Sequence, residues 1–245
     1  MELNLLTKPI NMTNNKTSLK KLRMLEVSFQ TFLQPWDLSK FRGAMAHKVG
    51  LENDWFHNHN NEDEQKEESF HYRYPLIQYK LHKRRPLLLC IDRGVEEAHH
   101  FFTQSDWSLR IGDKQHDMRI HRLHLQEYDL HYWEHPRLYR LHNWLALNSE
   151  NYRAIKACRS LRERLELLER ILRNHILNFY GAMGVHLEEE LEVHITEPLD
   201  LKRVSYKGIK KEAYTLDFET NVFLPNFIGL GQGTSVGFGV VKPYR

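Results

Sequence analysis

The chain has 245 residues, room for two small domains or one large one, and with 41% apolar and 27% charged residues it has the profile of a folded protein and not of a disordered one. Only Cys90 and Cys158 are present, which excludes a disulfide framework and a CxxC zinc site; neither a signal-like start nor a run of about 18 apolar residues occurs, so a cytoplasmic protein with no membrane span is expected. The net charge of +3 is unevenly split, because residues 52–68 hold seven acids against one base and leave +9 on the remainder. Such a basic body favours a polyanionic partner.

Residues 1–20 are polar and rich in Asn, Lys and Thr, the composition of a loosely packed lead-in. From Lys21 to Gln30, Leu25, Val27 and Phe29 alternate as in a strand. Asp37 is a candidate N-cap for a helix from Leu38 to about Val49, stopped by Gly50. After the polar stretch 53–69, segments 72–81 and 86–92 predict a hairpin around the basic turn His82 to Arg85. A short helix over Val95 to Gln104 and strand-like runs around Leu109 and Ile120 complete a strand, helix, strand, strand, helix, strand order.

The order then repeats. Arg137 to Leu147 is strand-like, and Asn148 to Gly181 is the longest helical segment. Leu161, Leu165, Leu168, Leu172 and Ile176 make its apolar stripe, and Glu166/Arg170 and Glu169/Arg173 are at i, i+4 spacing. Strands over 187–196 and 212–222, a turn or stunted helix at Pro225 to Ile228, and a last strand over 238–242 follow. The expected fold class is therefore α+β: two tandem ferredoxin-like (RRM-like) βαββαβ domains with antiparallel sheets, residues 1–129 and 130–245, with the boundary near Glu127 to Trp133.

Two segments carry chemistry. Between 229 and 239, glycines fall at Gly229, Gly231, Gly233, Gly237 and Gly239, a composition that lets backbone N–H groups approach phosphate oxygens. No Gly-Lys-Ser/Thr closes it and no long helix follows, so it is neither a Walker loop nor a dinucleotide fingerprint. A plain glycine-rich connection between two strands is the other reading. In Lys40 to Lys48, a helical wheel puts Leu38, Phe41, Met45 and Val49 on one arc and His47 opposite it, with Gly43 and Ala44 leaving space nearby. His47 could equally be a surface histidine with no task. The pairs His57/His59, His99/His100, His121/His124 and His131/His135 lack the partners of a metal site, and neither a metal nor any other cofactor is expected.

The segments Phe41-Arg42-Gly43-Ala44-Met45-Ala46-His47-Lys48, Tyr74-Pro75-Leu76-Ile77-Gln78-Tyr79-Lys80 and Gly229 to Gly239 together resemble the CRISPR-associated endoribonucleases that process repeat RNA, the sixth Cas family, and within it the b-type subgroup. The resemblance implies two ferredoxin-like domains and a single metal-independent cut per repeat of a precursor CRISPR RNA, leaving a 2′,3′-cyclic phosphate and a 5′ hydroxyl. It implies His47 as the catalytic acid/base residue and Gly229, Gly231, Gly233, Gly237 and Gly239 as part of the RNA grip. Lys40 and Arg42 are candidates for the scissile phosphate, and Lys242 for a further RNA contact. Lys80, Lys83, Arg84 and Arg85, near Tyr72, Tyr74 and Tyr79, are candidates for tracking the backbone and stacking on bases, with a solvated hairpin tip as the alternative. The second acid/base residue has no assignment. A homodimer, a seat in a CRISPR effector complex, and a non-catalytic RNA-binding subunit remain open alternatives.

Overall fold

The computed structural model describes residues 18–50, 53–57, 74–197 and 200–244. The acidic segment at 52–68 lies mostly outside them, as does the lead-in up to residue 17. In chain order the elements are β1 (Ser18–Phe29), α1 (Leu38–Val49), α2 (Asp54–His57), β2 (Ile77–His82), β3 (Arg85–Ile91), α3 (Gly94–Glu97), α4 (His99–Phe102), β4 (Ser108–Ile111), β5 (Lys114–Asp117) and β6 (Ile120–Trp144). Then come α5 (Ser149–Ala157), α6 (Leu161–Ala182), β7 (Val193–Ile195), β8 (Asp200–Tyr206), β9 (Ile209–Val222) and β10 (Val240–Pro243).

The strand order is β2-β3-β1-β6 in the first half and β10-β6-β9-β7 in the second, every neighbour antiparallel. With each half's strands numbered along the chain, both read 4-1-3-2, so two tandem ferredoxin-like units are present as the element order predicts. They share β6, a 25-residue strand whose first part pairs with β1 and whose second part pairs with β9 and β10. Residues 127–133 therefore lie inside a continuous strand. Pro136 sits in the register shift between Tyr132 and Arg137, where a missing N–H costs no ladder bond.

The second half departs from the repeat in two places. Its second helix is replaced by the irregular run 223–239, which holds one 3-10 turn at Thr234–Val236. An added strand, β8, pairs with the first part of β9 around the turn Lys207-Gly208. One core lies between the first sheet and α1 and α4, built on Val27, Phe29, Phe41, Met45, Tyr79 and Phe101. The other face of that sheet, through Leu22, Met24, Leu87, Leu89 and Ile91, joins a larger core with Trp144, Leu172, Phe179 and Phe218 of the second half. Lys20 of β1 also reaches across, donating to Asp92 Oδ2 and the Met183 carbonyl, both at 2.8 Å.

Several local expectations are corrected. The long helix is two helices, each with its own side-chain N-cap, and the break at Cys158 to Ser160 falls where the Ser160 cap starts the second. Asn148 accepts from Asn151 N at 2.7 Å and Ser160 from Glu163 N at 3.1 Å. Leu161, in the first turn of α6, is 69% exposed, while Leu168, Leu172 and Ile176 are buried as the stripe predicts. Glu166 pairs backward with Arg162 at 2.7 Å; Glu169 accepts from Ile195 N, and Arg173 donates to the Leu191 carbonyl. These last two side chains fasten α6 to β7 and to Leu191 just ahead of it in place of the expected ion pair. Asp37 is no side-chain cap, since it closes a 3-10 turn, Pro35–Asp37, that runs directly into α1. The segment 95–104 forms the two short turns α3 and α4. Among the described residues, no helix is long and apolar enough to cross a membrane.

The two ends of α6 should respond differently to truncation. Ile176→Ala should cost about 2–5 kcal/mol in denaturant unfolding, and Leu161→Ala less than about 0.5 kcal/mol; equal costs would contradict the packing.

Candidate active site and the strap that positions it

Helix α1 has two working ends. Leu38, Phe41, Met45 and Val49 are buried against the first sheet and His47 is exposed, as the wheel requires. A Cβ added at Gly43, one turn before His47, would meet nothing within 4 Å. His47 opens into a cleft of about 420 Å³ lined by Ala44, Lys48, Asp106, Ser108, Leu109, Arg110 and Gln115. The opposite wall is the β4–β5 hairpin, whose alternation buries Leu109 and Ile111 and leaves Ser108 and Arg110 on the open face. Arg110 lies across from Gln115 in the hairpin register.

The cleft's charges are ordered by hydrogen bonds. Asp106 accepts from the Ser108 hydroxyl at 2.6 Å and the Ser108 amide at 2.8 Å, and Lys48 Nζ lies 3.1 Å from it. These bonds, that of the Ser108 hydroxyl foremost, pull the Asp106 carboxyl down to about 2. Gln115 Nε2 donates to the Ser108 hydroxyl at 2.7 Å. Arg110, Ser108, Gln115 and Asp106 escaped the sequence reading, although the Gly112-Asp113 pair between alternating residues is a hairpin signal.

The other end of α1 meets the glycine-rich run, which acts as a strap along the edge strand β2. Gln78, fully buried, accepts from Gly229 N at 3.0 Å and donates to the Pro75 carbonyl at 2.9 Å. Lys80, 1% exposed, donates to the Thr234 carbonyl at 2.7 Å. Arg42 Nη1 donates to Ser235 Oγ at 3.3 Å. Covering β2 in this way removes an open sheet edge. The glycines are needed for the strap's own packing: a Cβ at Gly239 would lie 1.8 Å from the Leu230 carbonyl oxygen, and one at Gly231 2.7 Å from Trp144 Nε1.

The residues singled out in the sequence thus fall into separate places. Arg42 and the glycines meet at the strap, while Lys40 lies near Asp37, 3.5 Å away, and the turn at Gly112. Lys242 sits on β10, its ammonium 5.8 Å from the centre of the Phe227 ring. None of these lines the His47 cleft. Lys80 and Tyr79 are buried, so neither can track or stack on a nucleic acid, and Tyr74 is half-buried with its ring edge-on to Phe179. His99 and His100 have adjacent rings, and among the described residues no three His, Cys, Asp or Glu side chains converge at metal-binding spacing.

Two family models match the chain, the Cas6b N-terminal domain over residues 20–129 and the Cas6b C-terminal domain over residues 131–244. A crystal structure of a Cas6b protein is 27% identical, with a TM-score of 0.81, and the match covers 92% of this chain and 100% of that one. The crystal structure of a CRISPR RNA processing endoribonuclease, Cas6b, shares the fold at 24% identity and TM-score 0.69, over 92% and 100% of the two chains. An uncharacterized protein of Methanocaldococcus jannaschii is 37% identical over 98 residues, which span 40% of this chain and 65% of that protein.

Burial pulls the Lys80 amine down to about 7, from 10.5 in an open chain. Between those values the unfolded chain holds the extra proton, so stability should rise as pH increases from about 7 toward 10.5. Melting curves across that range should flatten in Lys80→Met relative to wild type; parallel curves would mean the ammonium is not desolvated.

Proposed function

The chain belongs to the Cas6b family, and we propose that it is accordingly an endoribonuclease that cuts the repeats of precursor CRISPR RNA in the cytoplasm. The observation that carries the assignment of its reaction centre is the exposed His47, beside Lys48 on α1, in an open cleft whose opposite wall carries Arg110. Such a cleft accommodates a backbone segment of RNA and surrounds it with cations.

The reaction needs little more. A ribose 2′ hydroxyl lies beside its own 3′ phosphate, so in-line attack expels the next nucleotide's 5′ oxygen and leaves a 2′,3′-cyclic phosphate and a 5′ hydroxyl. The imidazole of His47 takes the hydroxyl proton or supplies one to the leaving oxygen, since an imidazole carries both an acceptor and a donor nitrogen. Arg110 is permanently charged and stabilises the negative charge that develops on the phosphorane. Asp106 stays ionised and holds Lys48 in place. Lys48 is therefore the remaining group in the cleft able to complete the proton transfers opposite His47. No step in this scheme calls for a metal ion.

In single-turnover cleavage of the host repeat RNA, His47→Ala should lower the rate by about 10²- to 10⁴-fold and leave RNA affinity nearly unchanged. Wild-type cleavage should persist in EDTA and give the two mapped ends above. A matching loss of affinity would make His47 a contact residue, and a wild-type protein that binds the repeat without cutting it would be an RNA-binding subunit.

A further inference from the structure

We propose that Phe32, Trp36 and the Lys83–Arg85 turn form a stacking site for unpaired ribonucleotides, placed at the end of α1 remote from His47. Phe32 is 57% exposed and Trp36 is 70% exposed, and both belong to the short segment that joins β1 to α1. Leu33 between them is buried and anchors the segment. Its amide donates to the Arg84 carbonyl at 2.9 Å, and Arg85 Nη1 donates to the Gln30 carbonyl at 2.9 Å. The segment and the β2–β3 turn are thereby fixed to each other. The Arg85 guanidinium lies 4.5 Å from the centre of the Phe32 ring, so ring and guanidinium already form the first layers of a stack.

Aromatic faces beside cations, with water on the open side, are what sequence-tolerant binding of single-stranded nucleic acid uses. No acidic residue falls within 29–36 or 82–86, which disfavours a basic protein partner and favours a phosphate chain. The turn itself supports a retained role for its cations. Lys83 and Arg84 occupy its two central positions at φ 49° and 65°, a conformation that glycine or asparagine adopts with less strain. The positive surface continues into the second half: burial holds the His82 imidazole below its usual value, and Lys242 of β10 and Lys83 of the turn both add to that effect.

This site deepens the endoribonuclease reading and rests on it for the identity of the RNA. From Leu38 to His47 the helix rises about 14 Å, which a stacked strand covers in about four nucleotides at ~3.4 Å each. The stacked base would thus lie about four nucleotides from the bond cut at His47.

The test uses the full-length protein, a short unstructured oligoribonucleotide, and a blunt RNA hairpin without unpaired ends. The double variant Phe32→Ala/Trp36→Ala should bind the unstructured oligonucleotide about tenfold or more weakly, bind the blunt hairpin as wild type does, and melt unchanged. Trp36→Phe should restore most of the loss. Equal losses on both RNAs, or no loss on the unstructured one, would overturn the site. The endoribonuclease reading is scored separately by wild-type cleavage of the repeat RNA, which can succeed or fail whatever the double variant does.

Discussion

Lys80, buried in the edge strand β2 and answered by the carbonyl of Thr234, fastens the strap of the second half to the first sheet. Taking an ammonium out of water is costly, and the strap offsets that cost by packing its glycines so closely that the carbonyl reaches the amine. A Cβ at Gly229 would lie 2.9 Å from Lys80 Nζ and 2.6 Å from Thr234 Cβ, so the contact and the missing side chain require each other. Gln78 and Arg42 join the same strap to β2 and α1. Helix α1 is therefore held by its own sheet along one face and by the second half at one end.

That arrangement divides labour along a single helix. The N-terminal part of α1 is structural, clamped by the strap through Arg42 and packed at Leu38 against Gly237, where a Cβ would lie 2.4 Å from Leu38 Cδ2. The C-terminal part is open and presents His47 to the β4–β5 hairpin. A reaction that needs in-line geometry gains from a histidine on a clamped helix, because small misplacements are expensive in rate. On the role proposed for His47, the strap would influence cleavage through the helix it holds.

The repeated strand and helix order, and with it the ferredoxin-like pair, could be read from periodicity alone, since each half buries an alternating or stripe-like apolar set. The exposure of His47 was equally legible, because the arc of Leu38, Phe41, Met45 and Val49 that α1 buries lies opposite it on the wheel. The divided helix was legible in principle at Ser160-Leu161-Arg162-Glu163, a capping sequence that the leucine stripe overshadowed. What a single sequence does not display is pairing across distance. Lys80 looks like the start of a basic hairpin tip until β2 is placed under the strap, and Arg110 looks like one of many surface arginines until the β4–β5 hairpin is folded against α1. The glycines suggested a phosphate cradle, and the sequence did not display the protein atoms that also pack against them.

The most direct test of the clamp is amide hydrogen exchange across α1 in wild type and in Gly229→Ala, a substitution that pushes Thr234 away from Lys80 without touching the helix. If the strap holds α1 in place, the variant remains folded while the amides of Phe41 to Lys48 exchange markedly faster than in wild type. Unchanged exchange through that segment in a folded variant would contradict the account, since the helix bearing His47 would then owe its position to the first sheet alone.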